Sequence, residues 1–324
     1  MQFNACGNVR PGWQLRPADL PEQRRKSWVG GRVRAVRSSA EDDLPWQENA
    51  VVAEPWQALV AHNQPVTIPA RSSVSVLWDF EDYLCGYPVL TTAGGDGATI
   101  TWTWAEGLYQ ADHPSTVSGG THKGNRNEIA GKVFTGYGDA WNLGAGYATT
   151  TSELPALWWR SGRYVRLRIT TQNEPVTITR LGVRTTGYPL DSRGKAAWKS
   201  SDPTWDALFP IFERAYFAGA HETWVDCPYY EQLSYVGDDR LHFLGNYAYF
   251  DDDRVTKRCI QLFEWSRRSN ASGLVAERYP SAQRQESSTY CLIWPWTVRD
   301  FLYWRDDKEF VRSDRKSTRL NSSH

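Results

Sequence analysis

The apolar residues of this chain change their period once, near Tyr188-Pro189, and that change constrains the fold more than any other feature. Upstream, from about Val66 to Leu190, the period is two and turns punctuate it. In ATITWTWAEGLY, Ile100, Trp102 and Trp104 alternate with threonines, after the turn chemistry of AGGDGA. In YVRLRITT, Val165, Leu167 and Ile169 share one face and Arg166 and Arg168 the other, and VTITRLGV sets Val176 and Ile178 on one face. Such strands at short spacing predict an antiparallel β-sandwich over 66–190. Downstream the period is helical. Ser201-Asp202-Pro203 reads as a capped helix start before Trp205, Leu208, Phe209, Phe212 and Tyr216, with Pro210 placed to kink the helix. Further helices are predicted over 239–250, 254–267 and 289–305. Consecutive helices with short connections and no strand between them predict an all-α domain of stacked hairpins. The boundary falls near 191–200, a two-domain division in keeping with 324 residues.

The first 65 residues are predicted to be irregular. RRKSWVGGRVRAVR is basic and turn-rich, and DLPWQENAVVAEPWQALV reads as wrapping around the sandwich. The last eleven residues, DRKSTRLNSSH from Asp314, share no pattern with what precedes them and look like the translation of a sequencing-adapter read. The natural sequence is therefore expected to stop near Ser313. The polar start MQFNACGNVRPGWQ lacks a signal-peptide core, which leaves the compartment open. No apolar stretch approaches the roughly 18 to 20 residues that span a bilayer. Lys+Arg and Asp+Glu both number 37, so the chain has no net field to attract phosphate or anionic lipid. Nucleic acid and membrane are thus not expected partners. The five cysteines show no CxxC spacing, and neither a zinc site nor a disulfide framework is indicated. The anomaly is aromatic: 17 Trp and 16 Tyr suit stacking on sugar rings, or else fill two cores.

Chemistry concentrates in HETWVDCPYYEQLSYVGDDR, which sets Glu222, Asp226, Glu231, Asp238 and Asp239 among Trp224, Tyr229, Tyr230 and Tyr235. Pro228 and Gly237 bracket it as a loop. An apolar wall and neighbouring negative charge both disfavour ionisation, so one carboxyl can stay protonated near neutral pH and act as a general acid. The same acids could be solvated loop charge, with Asp238 and Asp239 capping the following helix. Trp224, Trp294 and Trp296 are sugar-stacking platforms or core. Arg278 is a guanidinium for a sugar, or a surface ion-pair partner of Glu277 or a nearby Asp. Cys227 reads as a buried small residue rather than a nucleophile. The run Asp251-Asp252-Asp253 lacks the alternation and glycine of a calcium loop and reads as a solvated helix start. No metal and no cofactor are expected.

DCPYYEQLSYVGDDR resembles the signature of the bacterial α-L-rhamnosidases, an Asp-Cys-Pro followed by a Glu and a Gly-Asp pair at this spacing. GYPVLTTAGGDGATITWTWAEGLY and WWRSGRYVRLRI resemble the β-sandwich that precedes the catalytic barrel in that family, and LVAERYPSAQ and Trp294-Pro295-Trp296 resemble barrel segments. The resemblance runs from about Val66 to Val311. It implies the first part of an (α/α)6 six-hairpin barrel over 191–313 and an inverting glycosidase acting on rhamnose-containing oligosaccharides, polysaccharides or glycosides. It implies Glu231 as general acid and Asp226 and Asp238 as acids lining the rhamnose subsite. Tyr230 stands in that subsite where many members carry Arg. The second carboxylate, a Glu from later in the barrel, is expected beyond the end of this sequence, leaving the chain inactive by itself. Two rival expectations remain: a carbohydrate-binding module acting through the sandwich tryptophans, and an (α/α)6 glycosidase for a different sugar.

Overall fold

The computed structural model describes residues 20–41, 44–112, 122–144, 152–268 and 272–312. The expected non-native tail from Asp314 lies outside them. Two compact units divide between Thr186 and Gly187, with residues 20–24 grouped with the second. In the first unit, β1 (Arg24–Trp28), β2 (Arg32–Arg37), β3 (Val66–Ile68), β4 (Ser73–Gly94), β5 (Thr99–Ala105), β8 (Tyr137–Asn142), β9 (Ser152–Glu153), β10 (Arg160–Thr170) and β11 (Val176–Gly187) form one sheet in the order β1-β11-β4-β10-β5-β8. β2 and β9 pair with β4, and β3 pairs with β11. The short β6 (Tyr109–Gln110) and β7 (Lys132–Val133) pair separately.

The strand pairings among the described residues are antiparallel, as the period of two predicts. Val165, Leu167 and Ile169 are buried on one face of β10, and they lie opposite Trp104, Trp102 and Ile100 of β5. Three tryptophans of this region are core, whereas Trp158 is 38% exposed. Trp78, Trp102 and Trp104 are at most 1% exposed and meet one another and Phe80 at centroid distances of 4.7–6.1 Å. That packing removes these rings from the candidates for sugar stacking.

β4 is long because it serves two sets of partners. Its first half pairs with β2 and β10, and its second half with β11. The change of partner coincides with a bulge: the β10 register slips between Gly162 and Tyr164, and Glu81 of β4 adopts φ 58°. Gly162 has φ 151°, and a Cβ there would lie 2.7 Å from the Ala105 carbonyl oxygen. Asp79, just before the bulge, is wholly buried. It accepts from Arg34 Nη1 at 2.7 Å, Arg163 Nε at 2.8 Å and the Glu81 amide at 2.9 Å, tying β2, β4 and β10 together.

The expectation of an irregular start fails at residues 50–62, where α1 (Ala50–His62) forms. Ala53, Trp56, Leu59 and Val60 make one buried stripe at helical spacing, and that burial outweighs the cost of Pro55 inside the helix. Asn49 does not cap by its side chain. It bonds instead to the Val36 amide at 2.8 Å and the Val36 carbonyl at 2.7 Å, completing the edge of β2.

The second unit contains α2 (Pro203–Gly219), α3 (Val236–Tyr249), α4 (Arg254–Arg268) and α5 (Ser288–Arg305). Asp202 caps α2 through the Thr204 amide at 2.9 Å, as the sequence predicts. Phe209, Phe212 and Tyr216 pack inward from α2, whereas Trp205, Leu208 and Ile211 are exposed. α3 begins three residues before the expected 239, so Gly237 lies in its first turn and Asp238 and Asp239 follow the cap position, which Tyr235 takes. The acidic run is not a solvated helix start. Asp252 is fully buried and accepts from Tyr188 at 3.0 Å, Ser192 at 3.2 Å and the Arg254 amide at 3.1 Å; Asp253 takes Arg305 at 2.7 Å. No described helix is long and apolar enough to cross a membrane.

Replacing Asp79 with Ala removes the buried acceptor that Arg34, Arg163 and the Glu81 amide share, and leaves Arg34 to Glu48 and the Asn127 carbonyl. The variant is expected to lose about 3 to 5 kcal/mol of stability in equilibrium denaturation; a loss under ~1 kcal/mol overturns this account.

Candidate active site

The connection from α2 to α3 carries the acids, and its shape follows from hydrogen bonds that Asp226 makes to its own loop. The Asp226 amide donates to the Leu233 carbonyl at 2.8 Å, and the Leu233 amide returns to Asp226 Oδ1 at 3.0 Å. Inside that closure, Gln232 adopts φ 55° and its amide bonds to the Cys227 carbonyl at 3.1 Å. The Cys227 thiol donates to Asp226 Oδ2 at 2.9 Å and its sulfur accepts the Glu231 amide at 3.3 Å. Burial, and then the adjacent Asp226 carboxylate, push this thiol up to about 11, so it remains an S–H donor. Cys227 is half-buried, and its part in the loop is to connect Asp226 to Glu231.

Glu231 is exposed at the tip, and the Tyr235 hydroxyl donates to its Oε2. Arg278 Nη1 in turn donates to the Tyr235 oxygen at 2.8 Å, and Nη2 reaches Gln283 at 3.4 Å. The segment bearing Arg278 lies alongside the loop, with the Val236 amide on the Glu277 carbonyl at 3.0 Å and the Tyr279 amide on the Ser234 carbonyl at 3.0 Å. The structure thus brings Arg278 to the loop, where its guanidinium turns to Tyr235 and Gln283.

Asp238 is half-buried in the first turn of α3, where the helix dipole favours a carboxylate. The Tyr290 hydroxyl of α5 donates to its Oδ2 at 3.3 Å. A Cβ at Gly237 would stand 2.7 Å from the Tyr290 ring, so glycine is what lets that ring approach. Asp239 is buried completely and accepts the Ser234 hydroxyl at 2.5 Å. Burial drives its carboxyl up, opposed by His242 and Ser234. It pins the end of the loop to the core.

The aromatic candidates separate. Trp224 is a core residue: it is 0% exposed, stacks on His242 at 5.2 Å and bonds Thr256 at 3.2 Å, so it offers no face to a sugar. Trp294 is half-buried against the helical core, with its Nε1 at 3.5 Å from the Ile260 carbonyl. Trp296 is 48% exposed beside the guanidiniums of Arg240 and Arg299. Tyr230 is half-buried and meets Tyr229 edge-on at 4.6 Å. Sequence reasoning missed Tyr235 and Tyr290 as carboxylate donors, because their partners are identified by three-dimensional proximity rather than by a motif. Among the described residues no group of three or more His, Cys, Asp or Glu could hold a metal ion.

Residues 193–317 match the family model described as bacterial alpha-L-rhamnosidase 6 hairpin glycosidase domain. The fold is similar to that of the GH78-family rhamnosidase of Bacillus sp. GL1, with TM-score 0.59 and 20% identity over 82% of this chain and 25% of that one. It is likewise similar to a rhamnosidase from Klebsiella oxytoca solved with rhamnose bound, with TM-score 0.62 and 19% identity over 90% of this chain and 55% of that one. The chain therefore spans about a quarter and about half of these two proteins. No curated protein matches. The resemblance to the bacterial α-L-rhamnosidases thus rests on a sequence match in the helical unit and on likeness of fold across most of the chain.

His221, at the start of the loop, supplies a pH test. It is 2% exposed, its Nε2 lies 3.2 Å from the Ala218 carbonyl, and burial pushes its imidazole down to about 4. The folded state favours the neutral ring, so this contribution is complete above the unfolded value of about 6.5 and is lost as pH falls through about 4. Denaturation of wild type and His221→Gln between pH 7 and 4 is expected to show a wild-type loss of the order of 3 kcal/mol that the variant lacks. Parallel pH profiles overturn this.

Proposed function

We propose that this chain is part of an α-L-rhamnosidase that hydrolyses terminal α-L-rhamnose from glycans or glycosides by single displacement with inversion. The observation that carries the reading is the loop from Asp226 to Asp238, whose three carboxyls have room for further hydrogen bonds, within the segment that matches the rhamnosidase family model. Glu231, exposed at the tip, would protonate the glycosidic oxygen. Asp226 and Asp238 each accept bonds from the protein and, as carboxylates, keep lone pairs free for sugar hydroxyls. Tyr230 borders this group.

Inversion needs a second carboxylate to activate water on the opposite face of the sugar, roughly 6.5 to 9.5 Å from the acid. The resemblance assigns it to a later hairpin of the barrel than those described, and we place it there. That assignment gives this chain a rhamnose-binding loop and no turnover by itself.

Calorimetry with L-rhamnose and hydrolysis of an aryl α-L-rhamnoside test both parts. Rhamnose is expected to bind, and Asp226→Ala to abolish binding; a chain that binds no rhamnose sinks the substrate assignment. Wild-type turnover that falls by about 10²- to 10⁴-fold in Glu231→Gln keeps the acid and overturns the external base. Turnover that survives Glu231→Gln overturns the acid.

A further inference from the structure

The hydrogen bonds around Glu231 have a direction that chemistry fixes. A guanidinium has donors and no acceptor. At 2.8 Å from Arg278 Nη1, the Tyr235 oxygen must therefore accept, which leaves its single hydrogen for Glu231 Oε2. The phenol can keep that role, since burial and the neighbouring Glu231 push it up to about 12 against the opposing effect of Arg278. The arrangement is held from several sides. Tyr235 and Arg278 form a β-bridge, the guanidinium lies 5.7 Å from the Tyr235 ring centroid, and the Glu231 amide is held by Cys227 at 3.3 Å.

Resting on the reading of Glu231 as the acid, we propose that Tyr235, oriented by Arg278, is a positioning residue that decides which oxygen of Glu231 carries the transferable proton. Oε2 is occupied as an acceptor, and a carboxylic acid has one O–H, so the proton resides on Oε1. In the reaction Oε1 gives that proton to the glycosidic oxygen, which takes the electron pair of the breaking bond to the anomeric carbon. Glu231 is left as a carboxylate, and the bond from Tyr235 to Oε2 becomes charge-assisted at that moment. An interaction that strengthens as the proton leaves lowers the barrier rather than the substrate affinity. Arg278 acts through Tyr235 and does not clamp the sugar, which replaces the role the sequence suggested for it.

The test is carboxyl carbon-13 NMR of the 324-residue chain labelled at glutamate, with the Glu231 resonance identified by its loss in Glu231→Gln. Tyr235→Phe is expected to move that resonance, Arg278→Met to move it in the same direction by less, and Arg278→Lys to restore it. An unmoved resonance in folded Tyr235→Phe overturns the proposal, and an unmoved one in Arg278→Met removes Arg278 from it. If Tyr235→Phe does not fold, the Tyr235 Cζ resonance in Glu231→Gln gives the same answer from the other end. In a polypeptide that turns over, Tyr235→Phe is expected to lower kcat about ten- to a hundredfold with KM unchanged, most for poor leaving groups. A raised KM with kcat intact overturns the positioning role. Failure of the rhamnosidase reading would appear as absent L-rhamnose binding in calorimetry and leave the carboxyl resonance to decide this relay separately.

Discussion

The loop that presents the acids depends on Asp226 closing it against Leu233 through both its amide and its side chain. A loop with several carboxylates would otherwise spread by mutual repulsion and expose its backbone. The closure uses one oxygen of Asp226 to satisfy an amide, and the Cys227 thiol, kept protonated by burial and by that same carboxylate, satisfies the other. Glu231 then projects from the tip because its amide is bound to the Cys227 sulfur. Asp-Cys-Pro is thus a structural device as much as a chemical one: acceptor, donor, and a ring that stiffens the turn.

The buried and exposed acids have different work. Asp79, Asp239 and Asp252 are fully buried; both oxygens of Asp79 and of Asp252 are engaged, and Asp239 takes the Ser234 hydroxyl on Oδ2. They hold strands, loop and helix starts in register. Asp226, Glu231 and Asp238 are exposed or half-buried and retain acceptor capacity. Tyrosines are the usual partners at the site, Tyr235 for Glu231 and Tyr290 for Asp238. Phenols that stay protonated can donate to a carboxylate without neutralising it, as a cation at contact distance would tend to do.

Much of the fold was legible in local pattern. Alternation in β5 and β10 gave the buried face, and Asp202 before Pro203 gave the start of α2, since both depend on neighbours in sequence. α1, read from the sequence as irregular wrapping, was hidden because the burial of Ala53, Trp56, Leu59 and Val60 that sustains it comes from packing. The start of α3 was misplaced because Asp238 and Asp239 resemble caps; what sets the boundary is the pairing of Tyr235 with Arg278, 43 residues away. Trp224 and Arg278 stood in the right neighbourhood with undecided roles; burial makes Trp224 core, and Arg278 donates to the Tyr235 hydroxyl.

By itself the sequence determined two periodicities, the division between them, and the cluster of acids with its order and spacing, because each is written in residues close along the chain. Tertiary structure alone decided which acids are spent on folding and which are left for a ligand, and which donors orient them. Those outcomes rest on burial and on partners such as Tyr290, 52 residues from Asp238, whose meeting no local pattern encodes.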